Sequence, residues 1–421
     1  MSSKRPRFLV VGAGGIGGIV AAHLIEQDHD VTTLTTNPII ADAINASGFR
    51  VRGEASPGDV QGRALLELPN DAPVFDYILL ATQPPQVEAA ARGVLPKLAA
   101  DGHMVCFQNG LIEERIAKIC GKERVIGAVV AWGASMVEPG VYDRTSAGGF
   151  QIGHLDASVG GPGTDAVQTL ASALECIGPT VITQNLLGAR WSKLAINCAI
   201  SSLGTVGGDR LGVLMRQRHV RRLALEIMTE VTQVARASGI RLEKVAGTLD
   251  LEWISLTAAD KQSAGSASLI AKHALLLAVG ARYRRLRSSM LAAIERGRTP
   301  SVEFLNGDIV SRGKALDVPT PINAAIRDEI LKIAAGKAKS SHELLRSFFD
   351  RTRTLTSSSE PASVRPAGLG SQEIAEPVPP SKTIEAAPLD ASMKSAPPPS
   401  VAAPSAGAAP PADTIVDPKP E

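Results

Sequence analysis

Three polar residues share one face of an otherwise apolar helix in the segment ARWSKLAINCAISSL. Lys193, Asn197 and Ser201 recur at every fourth position, a spacing that places side chains on one side of an α-helix. Their neighbours are apolar, so the helix should be largely buried and its lysine needs a partner or a polar cleft. A protonated lysine could stabilise the alkoxide formed when hydride adds to a ketone, and supply its proton. The alternative is that Lys193 extends its charge to solvent.

A glycine loop near the N-terminus could hold the hydride donor. The stretch FLVVGAGGIGG contains G-x-G-x-x-G at Gly12, Gly14 and Gly17, with Gly15 and Ile16 between them. Gly12 permits the turn out of a strand, Gly14 lets a pyrophosphate approach the backbone, and Gly17 lets the helix pack closely. Free N–H groups at the helix start would face the phosphates. A purely structural turn is the alternative, but the flanking strand and helix patterns favour a dinucleotide site.

The end of the second predicted strand bears on the choice of dinucleotide. An acidic residue there would bind the ribose hydroxyls of NAD and repel the 2′-phosphate of NADP. The chain has Leu34, Thr35, Thr36 and Asn37 at this place, with no acid and no base. We therefore expect NADP, with NAD as the alternative. These polar residues could also simply begin a loop.

Alternating strand and helix patterns indicate how the first part of the chain folds. Buried strands are predicted at residues 8–11, 30–34, 76–82 and 104–108, with helical periodicity between them. This alternation is typical of an α/β fold with a Rossmann-type, doubly wound parallel sheet. Residues 125–153 are Val-rich and broken by Gly and Pro, which predicts several antiparallel strands closing this domain.

The second part of the chain is predicted to be mostly α-helical. Helices are expected at residues 166–176, 187–203, 211–238, 271–296, 302–312 and 321–334. We expect an NAD(P)-binding domain at residues 1–160, an all-helical substrate and catalytic domain at 161–353, and a tail at 354–421. Residues 361–421 hold 14 of the chain's 28 prolines. Such a tail cannot bury enough apolar area to offset its ordering entropy, so we expect it to be disordered.

Composition argues against several other classes of protein. The 421 residues include 44 basic and 42 acidic residues, a net charge of +2, which gives no support for a nucleic-acid or anionic-membrane partner. The four cysteines form no C-x-x-C pair, so we expect no metal site and no disulfide framework. The chain lacks a signal-peptide pattern and any apolar run near the ~20 residues of a membrane helix. A cytoplasmic location is therefore expected.

Four motifs in order resemble the ketopantoate reductase (2-dehydropantoate 2-reductase) family. They are the glycine loop, QNG at 108–110, W-x-K-L-x-x-N at 191–197 and FLNG at 304–307, and the similarity spans roughly residues 7–335. The resemblance implies a Rossmann-type domain followed by a helical domain. It also implies NADPH-dependent reduction of 2-dehydropantoate, a small-molecule 2-oxo acid, to the 2-hydroxy acid. A homodimer is a further option that it leaves open.

The resemblance also implies roles for individual residues. Lys193 matches the general acid, and Asn197 matches the asparagine one turn beyond it. Asn109 matches an asparagine that lines the cofactor and substrate site, and Ser289 matches a serine that contacts the substrate carboxylate. Without the resemblance, Asn109 is a turn residue and Ser289 a helix-surface residue, and both alternatives stay open.

Several positions depart from the family pattern. Ser301 stands where the family commonly has a glutamate that contacts the substrate hydroxyl, and Ser201 stands where a second asparagine often follows the lysine. Glu303 lies about 200° further around a helix, so it would not simply replace that glutamate. Basic residues that often serve NADP binding appear here as Thr36 and Gln83. We keep the two serines as substrate-binding candidates and the last two residues as cofactor-binding candidates.

Two alternative functions follow from these departures. The first is an NAD(P)-dependent dehydrogenase of a different oxo or imino acid, which the changes at Ser201 and Ser301 motivate. The second is a non-catalytic, dinucleotide-binding regulatory protein with the tail as its interaction arm. The retained pair of Lys193 and Asn197 argues against the second.

Overall fold

The structure, a computed structural model, describes residues 5–156, 165–244, 249–262 and 265–358. The predicted tail from residue 359 onward lies outside the described residues, and so does the expected boundary between residues 160 and 161. The last helix continues to Ser358, past the expected start of the tail at residue 354.

Strands in the described residues form two sheets. They are β1 (Arg7–Val11), β2 (Asp30–Leu34), β3 (Phe49–Gly53), β4 (Asp59–Val60), β5 (Ala64–Leu65), β6 (Phe75–Leu80), β7 (Leu98–Cys106), β8 (Val125–Val130), β9 (Ala134–Glu138), β10 (Val141–Arg144), β11 (Phe150–His154) and β12 (Thr180–Ile182). The main sheet has eight strands in the order β12-β11-β8-β7-β6-β1-β2-β5. From β5 to β8 every neighbouring pair is parallel. The order reverses at β1, which confirms the predicted doubly wound sheet.

The segment 125–153 confirms the predicted antiparallel strands in part, because β11 pairs with β8 and β10 pairs with β9 in antiparallel fashion, but these strands belong to two sheets. β8 pairs with β7 in parallel and so extends the main sheet, while β11 runs antiparallel to β8. β9 and β10 leave the main sheet and join β3 and β4 in a four-stranded sheet, where β10 pairs with β3 in parallel. The partner of a short strand is set by packing with distant residues, which the local pattern does not reveal.

Helices cover the sheet and then build the second part of the chain. They are α1 (Gly15–Glu26), α2 (Pro38–Ser47), α3 (Val87–Val94), α4 (Glu113–Cys120), α5 (Asp165–Leu174), α6 (Leu186–Gly207), α7 (Leu211–Leu214), α8 (Arg218–Ala237), α9 (Leu251–Ile254), α10 (Ala258–Gln262), α11 (Ala267–Arg282), α12 (Ser289–Glu295), α13 (Asn306–Ala315), α14 (Pro321–Ala334) and α15 (His342–Ser358). From α6 onward the described chain is helical, which confirms the mostly α second part. α5 and β12 follow residue 160 but pack with the sheet.

The predicted long helix at 211–238 is in fact two helices, α7 and α8. The Arg221 guanidinium donates to the carbonyl oxygens of Met215 and Arg216 at 2.5 and 2.8 Å. These carbonyls therefore have a side-chain donor in place of the backbone donors of a continuing helix. The predicted helix at 271–296 is likewise divided into α11 and α12. Apolar periodicity continues across both breaks, so it could not reveal them.

Helix α6 lies at the centre of the helical part. It packs against α8, α14 and α15, and most of its apolar side chains, including Trp191 and Leu194, are buried. This agrees with the expectation from its apolar sequence. No helix in the described ranges combines the length and hydropathy required to cross a bilayer.

Candidate active site

The glycine loop joins β1 to α1 and leaves one open place on its surface. Gly12 has φ +105°, and a Cβ on Gly17 would overlap the Gly12 carbonyl oxygen, so both positions exclude other residues. A Cβ on Gly14 would meet no atom within 4 Å. Gly14 precedes α1 without a side-chain cap, so no such cap takes the N–H groups at the start of the helix. A pyrophosphate needs both features, and the loop therefore fits a dinucleotide.

The residues that follow β2 and β6 lie on either side of this loop. The Gly12 N–H donates to the Leu34 carbonyl at 2.8 Å, and Thr36 beyond it is exposed. On the other side, Gln83 is exposed just after β6. The structure thus places both predicted cofactor-binding side chains beside the glycine loop. Asn37 instead caps α2 by accepting from the Ile39 N–H at 3.0 Å.

Lys193 reaches from α6 to the end of the parallel sheet. Its Nζ donates to the Val130 carbonyl, the last residue of β8, at 2.6 Å. Burial and, to a smaller extent, the positive charge of Arg190 lower the pKa of Lys193, and Glu113 opposes them, so that the pKa is lowered to about 7. The side chain is half-buried and its Nζ is bound to a backbone carbonyl, which favours the polar cleft over a lysine that extends to solvent.

Asn197 and Ser201 continue the polar face of α6 beyond Lys193. Both are half-buried, and the Asn197 Nδ2 has no hydrogen-bond partner in the described part of the chain. The Ser201 carbonyl accepts from the Ser288 hydroxyl at 2.8 Å. Ser289, predicted to contact the substrate, is exposed at the start of α12, whereas Ser288 is buried. Ser288 therefore binds α6, and the predicted contact of Ser289 with the substrate stays a prediction.

The turn after β7 carries Asn109, whose side chain is exposed. The preceding Gln108 donates from Nε2 to the carbonyls of Leu80 at 2.9 Å and Thr82 at 3.0 Å. These bonds tie the turn to the exit of β6, next to the glycine loop. Asn109 therefore lies at the same edge of the sheet as the proposed cofactor site, as expected where parallel strands end.

A second turn, from the helical part, packs against the Asn109 turn. Gly110 has φ +97°, and a Cβ there would lie 2.6 Å from the Phe304 carbonyl oxygen. Phe304 ends the 3₁₀ turn Ser301–Phe304, and Ser301 is half-buried at its start. Glu303 is exposed, with its carboxylate beside Gly307.

Sequence reasoning missed a buried ion pair between Arg190 and Glu113, whose side chains are 1% and 2% exposed. Arg190 also donates to the carbonyls of Gln108 at 2.9 Å and Cys106 at 2.6 Å. Arg190 interrupts an apolar run three positions before Lys193, which was a usable signal. Glu113 gave none, because its partner is distant in sequence.

Two family models match the chain. The model for ketopantoate reductase PanE/ApbA matches residues 8–157, and the model for the ketopantoate reductase PanE/ApbA C terminal matches residues 185–334. The chain belongs to the ketopantoate reductase family. It is therefore an NAD(P)-dependent oxidoreductase of the 2-dehydropantoate 2-reductase type.

Relatives of this family match along most of their length. The 2-dehydropantoate 2-reductase of Pyrococcus horikoshii is 26% identical, over 75% of this chain and 94% of that protein. The enzyme of Archaeoglobus fulgidus is also 26% identical, over 78% and 98%. A PanE/ApbA family ketopantoate reductase from Ralstonia eutropha JMP134 has a TM-score of 0.64 at 24% identity, over 78% and 98%. D-mandelate dehydrogenase with NADH and anilino(oxo)acetate has a TM-score of 0.64 at 18% identity, over 82% and 99%. The solved structures confirm the fold.

Proposed function

We propose that this ketopantoate reductase family member reduces 2-dehydropantoate, or a related 2-oxo acid, with NADPH, and that Lys193 is the general acid. The observation that carries the proposal is the placement of Lys193. Its ammonium group is held at the end of β8, on the same helix face as an asparagine with an unpartnered amide donor. Family membership supports the reaction type.

The edge of the sheet supplies candidate groups for the whole length of a dinucleotide. Bound NADPH would supply the hydride. The residues that would hold it are Gly12, Gly14, Gly15, Ile16 and Gly17 at the pyrophosphate, Thr36 and Gln83 towards the adenosine ribose, and Asn109 towards the nicotinamide. No acid stands at residues 34–37 to repel a 2′-phosphate.

Lys193 provides the proton that reduction of a carbonyl requires. The carbonyl carbon gains hydride, and the carbonyl oxygen takes a proton from Nζ, so the product is the 2-hydroxy acid and the lysine is left neutral. A pKa lowered to about 7 makes this neutral form accessible near neutral pH. The Asn197 amide can orient the substrate, and Ser201, Ser289 and Ser301 are the remaining candidates for substrate contact.

The substitution Lys193→Ala tests the proposal. We expect kcat/KM for 2-dehydropantoate to fall by about 10²–10⁴, the usual contribution of a positioned acid, with NADPH affinity and Tm retained. Lys339→Ala, which removes an exposed lysine, is the matched control and should leave turnover unchanged. Near-normal turnover in Lys193→Ala would refute the proposed role. NADPH binding without turnover of any 2-oxo acid by the unaltered chain would favour the non-catalytic alternative.

A different 2-oxo or imino acid is the second candidate substrate. Ser201 and Ser301, short hydroxyl side chains at two positions of the helical part, favour it because they differ from the family's asparagine and glutamate. Turnover of 2-dehydropantoate should be compared with a panel of branched and aromatic 2-oxo acids, with NADPH and with NADH. A strong preference for another acid would replace 2-dehydropantoate as the substrate and leave the chemistry unchanged.

A further inference from the structure

One buried pair of charges joins the proposed catalytic helix to the turn that carries Asn109. Arg190 lies on α6, Glu113 begins α4, and both side chains are almost fully buried. The same guanidinium donates to the Cys106 carbonyl at the end of β7 and to the Gln108 carbonyl, directly before Asn109. Three separate acceptors are thus held by one side chain.

Lys193 follows Arg190 by three positions on α6, which places the two side chains on adjacent parts of one helix face. Its own bond to the Val130 carbonyl reaches the end of β8. α6 is therefore tied to the ends of two neighbouring parallel strands, β7 through Arg190 and β8 through Lys193. A change at Arg190 would alter the position of Asn109 relative to Lys193.

We propose that Arg190 is a positioning residue that holds α6 and the exit of β7 as one unit, with Glu113 balancing its buried charge. The inference rests on the proposed function, since it assigns Arg190 a role through Lys193 and Asn109. Stability alone does not account for the pair, because burying two charges costs about as much as their attraction returns. A planar guanidinium does explain why several acceptors can be held in one geometry.

The pair also sets the charge around Lys193. In the described residues, the charged groups that act on the Lys193 ammonium are Arg190 from its own helix, which lowers its pKa, and Glu113 from α4, which raises it. β8 contributes only the uncharged Val130 carbonyl at the ammonium. Removing Arg190 alone should therefore move the pKa of Lys193 upward.

Three variants separate charge from positioning. Arg190→Met removes the positive charge and all the hydrogen-bond donors of the guanidinium. Arg190→Lys keeps the charge but cannot hold all the acceptors at once. Arg190→Met alone leaves the Glu113 carboxylate buried without a partner and could prevent folding. The double variant Arg190→Met with Glu113→Gln removes that carboxylate and is used in its place if the single variant does not fold. Each is measured by the pH profile of kcat and by the pH dependence of acetic anhydride labelling of Lys193, read by mass spectrometry. Arg312→Met, which breaks the pairs of Arg312 with Glu114 of α4 and Asp308 of α13, is the control for losing ion pairs near α4.

We expect the labelling pKa of Lys193 to rise in Arg190→Met and the alkaline limb of kcat to move with it. Arg190→Lys should keep the labelling pKa near that of the unaltered chain, yet lose about tenfold or more in kcat, because small misplacements of reacting groups cost that much. Arg312→Met should leave the labelling pKa unchanged. Unchanged labelling and kcat in all Arg190 variants would overturn the inference. If the labelling pKa of Lys193 shifts but the alkaline limb of the kcat profile does not, Lys193 is not the general acid. The effect of Arg190 on the pKa of Lys193 would still be confirmed.

Discussion

The glycine loop and helix α6 achieve precise geometry by opposite means. In the loop, side chains are absent where the backbone must turn or approach closely, as at Gly12 and Gly17. Around α6, buried polar side chains link the helix to other elements and so fix its position. The loop is therefore sensitive to added volume, and the helix is sensitive to lost hydrogen bonds and altered charge.

A chain of buried polar groups shows how α6 is fixed. The Ser202 hydroxyl donates to Asn306 Oδ1 at 2.6 Å, and Asn306 Nδ2 donates to the Cys198 carbonyl at 3.2 Å. Asn306 also donates to Asn323 Oδ1 at 2.9 Å, and Asn323 Nδ2 donates to Glu230 Oε2 at 2.8 Å. The chain links α6, α13, α14 and α8. Its members depend on one another, because an unpaired buried polar group costs about 1–3 kcal/mol.

The largest effect is expected at the loop. Gly17→Ala places a Cβ on the Gly12 carbonyl oxygen, so the loop must move, and we expect loss of NADPH binding and about 1–3 kcal/mol of stability. Gly14→Ala meets no protein atom within 4 Å. It should keep its Tm but lose about tenfold or more in NADPH affinity, ~1.4 kcal/mol, because the methyl group occupies the pyrophosphate's approach.

Thermal denaturation and fluorescence titration with NADPH measure both variants. If Gly14→Ala lowers Tm as much as Gly17→Ala does, the stability of the loop does not depend on the space at each glycine. The contrast between the loop and α6 then fails.

An intermediate effect is expected at the buried carboxylate of α8. Burial raises the pKa of Glu230 from 4.5 to about 7, although the backbone N–H groups of Ile322 and Asn323 oppose the rise. A raised folded-state pKa contributes stability below pH 4.5 that is lost as the pH rises through about 7. In Glu230→Gln this loss should disappear. The free energy of unfolding of the variant should then lack the fall of about 2–3 kcal/mol that the unaltered chain shows over this pH range.

Urea denaturation at pH values from 4.5 to above 7 measures the free energy of unfolding of the unaltered chain and of Glu230→Gln. The control is Glu67→Gln, which removes an exposed carboxylate. Identical pH slopes for Glu230→Gln and the unaltered chain would show that the carboxylate is not protonated in the folded state.

The smallest effect on stability is expected at the exit of β2. Thr36→Asp adds a carboxylate at an exposed position, where it should repel a 2′-phosphate and favour NADH over NADPH by about tenfold or more, ~1.4 kcal/mol. Tm should hardly change, since exposed substitutions usually cost within about 0.5 kcal/mol. Thr35→Asp, at the buried neighbour, should instead destabilise the fold. The ratio of kcat/KM values for the two cofactors measures the first effect, and an unchanged ratio would place the ribose elsewhere.

Local patterns were enough to predict the elements that present the site. β2 and α14 have the predicted bounds, Asp30–Leu34 and Pro321–Ala334, because apolar periodicity and a helix-starting proline are properties of neighbouring residues. The shared face of Lys193, Asn197 and Ser201 follows from helical spacing in the same way. Their roles in catalysis stay predictions.

What the sequence did not reveal depends on residues that meet only in the folded chain. The pairing of β10 with β3, the bond from Lys193 to Val130 and the Arg190–Glu113 pair each join segments far apart in sequence. No period or motif marks such contacts. The last two of these contacts set the charge around Lys193 and tie α6 to the ends of β7 and β8.

The solvent-facing position of Thr36 beside the buried Thr35 has an evolutionary consequence. A substitution at Thr36 costs little folding free energy, so under the proposed role of Thr36 at the cofactor ribose selection would act on it almost entirely through the supply of reducing equivalents in the cell. The folding core and the polar face of α6 could then stay constant while a lineage changes the redox pool on which the enzyme draws. Under that proposal, a change of cofactor would need only one substitution at the surface.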